Sequence, residues 1–165
     1  DGAAVAGELD HCPLTRGASG SDACAGCPER ACMARGGSIV IGERVEFAVG
    51  TADIEERSLD VLRDVVSILQ TNPQIERVRI EGHTDAVGND SDNLALSTAR
   101  ARAIIDWLRE AGVAAERLEA WGCGEMHPLD DNARSEGRQR NRRVEFLIIV
   151  PSSGQPLREG CRPAR

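Results

Sequence analysis

The run VEFLIIV, residues 144–150, decides how this chain folds. Both of its alternating sets are apolar: Val144, Phe146, Ile148 and Val150 on one side, Leu147 and Ile149 on the other. Successive side chains of a strand point to opposite faces. A strand that is apolar on both faces reads as interior, not as an edge. It is also the last such run, because Pro151 to Arg165 is a tail with Pro, Ser and Gly and one large apolar residue, Leu157.

Moving upstream, Leu118 to Gly122 is a short strand, preceded by Leu94, Ala101, Ile104, Ile105 and Leu108 at helical spacing and a stop near Gly112. Val78 and Ile80 alternate with Arg77, Arg79 and Glu81, which predicts another strand. Leu59, Leu62, Val65, Val66 and Leu69 form a first amphipathic helix, ended by Asn72-Pro73. Before it, Ile39 to Ile41 and the alternating Val45 to Val49 are strand material. Between the third and last strands lies an Arg-rich, partly helical stretch. The order is β-α-β-α-β-(α)-β, with two long helices packed on one sheet. Residues 1–37 hold few large apolar side chains but four cysteines, and read as a small cross-linked appendage. The expected division is therefore 1–37, a globular unit over 38–150, and a tail over 151–165.

The 165 residues are 41% hydrophobic, with two Trp, two Phe and no Tyr, so the core is built from Val, Ile, Leu and Ala. A net charge of −7 argues against nucleic acid as the main partner. There is no Lys, so every basic side chain other than His is Arg. No apolar run is long enough to span a membrane. The chain opens at Asp1-Gly2 without Met and is expected to be a piece of a longer or processed protein.

A second stretch, EGHTDAVGNDSDNLALSTARA (residues 81–101), carries the chemistry. It places an acid, Asp85, just past a strand and a guanidinium, Arg100, two turns into the next helix. Four readings are open: a metal loop, a catalytic acid, a structural ion pair, or a clamp for a ligand bearing both charges. Asp85, Asn89, Asp90, Asp92 and Asn93 lack the Gly and terminal Glu at the spacing an EF-hand loop needs. They read as turn formers, with Asp92 as a cap for the helix. His83 has no partnered nucleophile and reads as a hydrogen-bonded strand-end residue. The globular part contains no Gly-x-Ser-x-Gly, no His-Glu-x-x-His and no Cys-His-Asp set, so an enzyme is not expected.

Gly82-His83-Thr84-Asp85, Gly88, Asn93-x-x-Leu96-Ser97-x-x-Arg100-Ala101, Gly122-x-Gly124, Pro128, Asn132, Gly137-Arg138 and Asn141-Arg142-Arg143-Val144-Glu145 follow one another in an order and spacing that resemble the OmpA-like C-terminal domain. The resemblance covers about residues 39–150. It implies a two-layer α+β sandwich with a mixed four-stranded sheet, helices on one face, and the fourth strand antiparallel inside the sheet. It also implies non-covalent binding of peptidoglycan through the diaminopimelate of the stem peptide, in the periplasm of a Gram-negative bacterium. An upstream region would tether the chain to the outer membrane. By this likeness Asp85 takes the ligand's ammonium and Arg100 its carboxylate, with Thr84, Asn93 and Leu96 around them and Arg138, Arg142 and Arg143 as rim candidates. Ala48 stands where several relatives carry an Asp near the ligand. No cofactor, metal or nucleic acid is implied. The physics agrees with a clamp: an ammonium and a carboxylate on one carbon need opposite charges from separate elements, and Arg's planar fork suits a carboxylate. The alternative is an envelope module stabilised by disulfides or metal that binds no ligand.

Asp1-Gly2-x-x-Val5, Leu9-Asp10-x-Cys12-Pro13 and Cys27-Pro28-Glu29 resemble thrombospondin type 3-like repeats. Ala and Gly replace most of the calcium-binding Asp residues of such repeats, so no calcium is carried over. Cys24-x-x-Cys27 with Cys12, Cys32 or His11 could hold zinc. The oxidising envelope implied by the resemblance favours disulfides instead, with Cys12, Cys24, Cys27 and Cys32 pairing among themselves. Cys123 and Cys161 then remain for each other, and their bridge is expected to pin a tail that has little reason to pack unaided.

Overall fold

Residues 31–34, 38–41, 44–151 and 158–164 are described by the computed structural model of the chain. The first 30 residues lie outside it, and Cys32 enters only as backbone. The expected pairing of Cys12, Cys24, Cys27 and Cys32, its zinc alternative and the calcium-repeat likeness therefore lie outside the described residues.

The elements run β1 (Ala31–Ala34), β2 (Ser38–Ile41), α1 (Leu59–Thr71), β3 (Arg77–His83), α2 (Asp90–Glu110), β4 (Leu118–Gly124), α3 (Ser135–Asn141), β5 (Arg143–Val150) and β6 (Arg162–Pro163). In the sheet they stand in the order β1-β2-β5-β3-β4-β6. The two-faced last run is interior, as its pattern requires: β5 lies between β2 and β3 and is antiparallel to both. β3 and β4 are parallel, joined through α2. The mixed four-stranded sheet β2-β5-β3-β4 is thus present, with short strands added at each edge. The edge strand β1 shows that the expected boundary at residue 37 runs just inside a hairpin, since Ala31–Ala34 pairs with Ser38–Ile41.

Val45 to Val49 is not a sheet strand. It folds back on its own continuation, with Ala48 N–H donating to Asp53 O, Glu55 N–H to Glu46 O, and a single bridge between Phe47 and Ile54. Gly50 turns the chain at φ 71°, a conformation that favours glycine. The alternation was real, but its hydrogen-bond partner is local. The helix cap also differs from expectation. Asn89 caps α2 by accepting the Asp92 N–H, so Asp92 lies in the first turn.

Both long helices cover one face of the sheet. Val78, Ile80, Leu118, Ala120, Val144, Phe146 and Ile148 share that face by register, and form one core with Val61, Leu62, Val65, Leu69, Ala101, Ile104 and Leu108. The N-terminal half of α2 presents Asn93, Ser97 and Ala101, which are small enough to lie close on the strands. Glycines complete the fit: a Cβ on Gly82 would strike the Ser97 backbone, and one on Gly122 the Thr98 backbone and hydroxyl. Ser97 Oγ then accepts the Gly124 N–H at 2.9 Å.

The other face carries Arg79, Glu81 and His83 from β3, Glu119, Trp121 and Cys123 from β4, and Arg143, Glu145 and Leu147 from β5. Arg79 stacks over Trp121 at 4.6 Å and pairs with Glu119 at 2.9 Å. The tail crosses this face. Cys161 is joined to Cys123, Ala164 N–H donates to Ala120 O, and Arg158 pairs with Glu145 at 2.6 Å. Burial pushes the Glu145 carboxyl up, but His83 and the Arg143 guanidinium outweigh it and hold the group at about 2. His83 Nε2 lies 3.6 Å from Glu145 Oε2, beyond a normal hydrogen bond, so its effect there is electrostatic.

Candidate functional site

A cavity of about 460 Å³ opens where β3 and β5 meet the folded-back 44–57 segment, the start of β5 and Arg100 of α2. Its charged lining is Arg44, Glu46, Glu55, Arg57, Arg100, Arg142 and Arg143. Most of these charges are already committed. Arg57 pairs with Glu46 and Glu55, Arg143 pairs with Glu145 at 3.0 Å, and Arg44 donates to the carbonyls of Gln139 and Arg142. Arg100 differs. Its Nε donates to the Thr51 carbonyl at 2.9 Å and its guanidinium lies 5.0 Å over the Phe47 ring, but it makes no ion pair among the described residues. Burial and then the nearby charge of Arg142 push this guanidinium below its ordinary value, while Asp85 pulls it back. It remains a cation, held in place through Nε, and its two Nη groups make no ion pair among the described residues.

Asp85 follows β3 and is buried. One carboxylate oxygen accepts the Val87 N–H at 3.0 Å and the other accepts Arg142 Nη1 at 2.6 Å. The Arg142 side chain is 44% exposed and that of Asp85 only 12%, so the arginine is the outer and more replaceable partner. The antiparallel register His83↔Arg143 brings these two residues together across 57 positions of sequence. The surrounding loop is braced by amides. Asn93 Nδ2 donates to Asp85 O and Val87 O, and Asn132 Oδ1 accepts the Ala86 N–H.

Arg142 and Arg143 line the cavity, and Asp85 reaches its edge through Arg142. Thr84 is buried, with its hydroxyl donating to Asp85 O, and Asn93 is occupied with the loop. Leu96 is half-buried on α2, and Ala48 sits between Phe47 and Val49, which face the cavity. Arg138 donates to Asn132 O and braces the loop. Phe47, Thr51 and Arg44 escaped the sequence reading. Phe47 was visible as a large apolar residue beside Ala48, but a stacking partner contributed by another helix leaves no mark in spacing.

This fold and this loop-and-helix arrangement define a class. A model of the OmpA family matches residues 46–142, and the chain belongs to that family. It is 37% identical over 149 residues to outer membrane porin F of Pseudomonas aeruginosa, covering 90% of this chain and 41% of that protein. It is 35% identical over 109 residues to the peptidoglycan-binding protein ArfA of Mycobacterium tuberculosis, covering 66% of this chain and 33% of that one. The crystal structure of the peptidoglycan-associated lipoprotein from Burkholderia pseudomallei superposes with a TM-score of 0.58 at 27% identity, over 64% of this chain and 89% of that one. The chain thus spans less than half the length of these two full-length relatives. Among the described residues, no helix is long and apolar enough to cross a membrane.

Proposed function

We propose that this domain binds peptidoglycan without catalysis, by clamping the zwitterionic end of diaminopimelate between Asp85 and Arg100, and so anchors an envelope protein to the cell wall. One observation carries the reading: the buried Asp85 carboxylate is paired with Arg142, which lines the same cavity as Arg100, and Arg100 makes no ion pair among the described residues. The family and the names of its members, a peptidoglycan-binding protein and a peptidoglycan-associated lipoprotein, support the same ligand. The same relatives, among them an outer membrane porin, support a periplasmic, outer-membrane-associated setting.

Arg142 gives the clamp a resting state. In the free protein it neutralises Asp85, so the acid is not left buried and unpaired, which would be costly. The incoming ammonium replaces it, and the released guanidinium, already at the cavity wall, faces the same carboxylate as Arg100. Phe47 supports Arg100 from beneath by a cation–π contact. Co-sedimentation tests the reading. The folded chain should pellet with insoluble diaminopimelate-type sacculi, and excess free diaminopimelate should release it. A chain that stays in the supernatant overturns the proposal.

A further inference from the structure

The face of the sheet turned away from the helices holds a second constellation, which borders the clamp cavity at His83. Glu81 and His83 lie two apart on β3 and so point to the same side, and Cys123 stands beside them on β4. Their carboxylate, imidazole and sulfur atoms lie within 4.8 Å of one another. All three residues are buried, with Glu81 at 0% and His83 at 2% exposure. Neither oxygen of Glu81 and neither ring nitrogen of His83 makes a hydrogen bond among the described residues. Native interiors seldom leave four such atoms unsatisfied, because each loses hydration without replacement. The approaches that do exist are longer: His83 Nε2 stands 3.5 Å from Glu81 Oε2, and Arg158 Nη1 stands 3.5 Å from the same oxygen.

Cys123 is bonded to Cys161, and a disulfide sulfur is a poor metal ligand, whereas a thiolate is a good one. We propose that the dithiol form of this chain binds one Zn²⁺ through Glu81, His83, Cys123 and Cys161. The disulfide and the zinc site are then alternative cross-links made by the same two cysteines. One carboxylate oxygen, one imidazole nitrogen and two sulfurs form the four-coordinate donor set that zinc takes in closed sites. A thiol reductant supplies the change of state: two external thiols are oxidised to their disulfide, and Cys123–Cys161 is reduced to two thiols. Zinc binding then releases both thiol protons. Two thiolates and one carboxylate against a dication leave one negative charge, and the Arg158 guanidinium, held by Glu145, lies beside it to balance that charge. The tail is pinned through Cys161 in either state, so the chain keeps its cover over this face before oxidation as well as after it.

The test uses the whole chain with Cys12, Cys24, Cys27 and Cys32 changed to Ser, which leaves only the two relevant cysteines. The protein is reduced, freed of reductant under inert gas, and titrated with Zn²⁺ against a chromophoric chelator. We expect one Zn²⁺ per chain, bound at least a hundredfold more tightly than by the disulfide form. Glu81→Gln, which keeps the shape of the side chain, and His83→Ala should each weaken binding at least tenfold. Co²⁺ in place of zinc should give the intense visible bands of a tetrahedral thiolate site, a signature of the ligands rather than of folding. Equal affinity in the dithiol and disulfide forms overturns the proposal. So does undiminished affinity in Glu81→Gln, which would show that the carboxylate is not a ligand.

Discussion

Asp85→Asn and Arg100→Ala are each expected to abolish pelleting with diaminopimelate-type sacculi while leaving the circular dichroism spectrum unchanged. Asp85→Asn is the cleaner removal of charge, because its amide oxygen can still accept the Val87 N–H that shapes the loop. In either variant one charge of the ligand enters the cavity without its partner. Truncating one side of a desolvated, hydrogen-bonded charge pair costs roughly 2–5 kcal/mol, about thirtyfold to several thousandfold in affinity. Arg100 tolerates replacement structurally, since its own contacts are one backbone carbonyl and one ring face. If both folded variants still pellet, the two residues are not the clamp.

The next largest effect is expected on stability, from Cys123→Ser combined with Cys161→Ser. The bridge joins residues 38 apart in sequence. The chain-entropy account assigns a loop of that size about 4 kcal/mol, acting through the unfolded state, less any strain in the folded one. Among the described residues the tail is otherwise held by Arg158 to Glu145 and Glu81, the His127 ring against the Glu159 carbonyl, the Ala164 amide to Ala120, and a two-residue strand. Urea denaturation should show a markedly lower midpoint, and limited proteolysis should remove the tail first. Binding to sacculi should persist, because the bridge lies on the face opposite α2, away from Arg100. An unchanged midpoint would show that the tail is held without the bridge.

Most of the architecture was legible because burial writes itself into periodicity. The apolar sets of residues 144–150 announced an interior strand, and the register bears this out, although Val150 at the strand end is exposed. The helices were equally plain from Leu59 to Leu69 and from Leu94 to Leu108. What failed was partner choice. Period-two alternation at Val45 to Val49 says that a segment is extended, but not whether it pairs with the sheet or, through Gly50, with itself. The alternation of Arg77, Arg79 and Glu81 with Val78 and Ile80 announced a strand, but not that Arg158 and Cys161 of the tail would lie against its polar side. The Asp85–Arg142 pair depends on strand register across the sheet, which no local spacing encodes. Spacing alone also left Asp85 and Arg100 open to several readings. The arginine cluster, by contrast, resolves largely into structural pairs, such as Arg140 with Asp130 and Arg143 with Glu145.

The central claim is that the site reads an ammonium and a carboxylate on one carbon, and calorimetric titration of a diaminopimelate-type stem tetrapeptide against its lysine-type counterpart tests it most directly. Within the peptide the α-amino and α-carboxyl groups of that residue are tied up in peptide bonds. Lysine then offers the same side-chain ammonium without a neighbouring carboxylate, so it would satisfy Asp85 and leave Arg100 unmatched. A site built for a charged group rejects the analogue that lacks it far more strongly than an apolar pocket rejects a missing methylene, because its buried polar atoms are left unpaired. The account predicts measurable heat and saturable 1:1 binding for the diaminopimelate-type peptide, with the lysine-type peptide at least tenfold weaker. Equal affinities for the two peptides would contradict it.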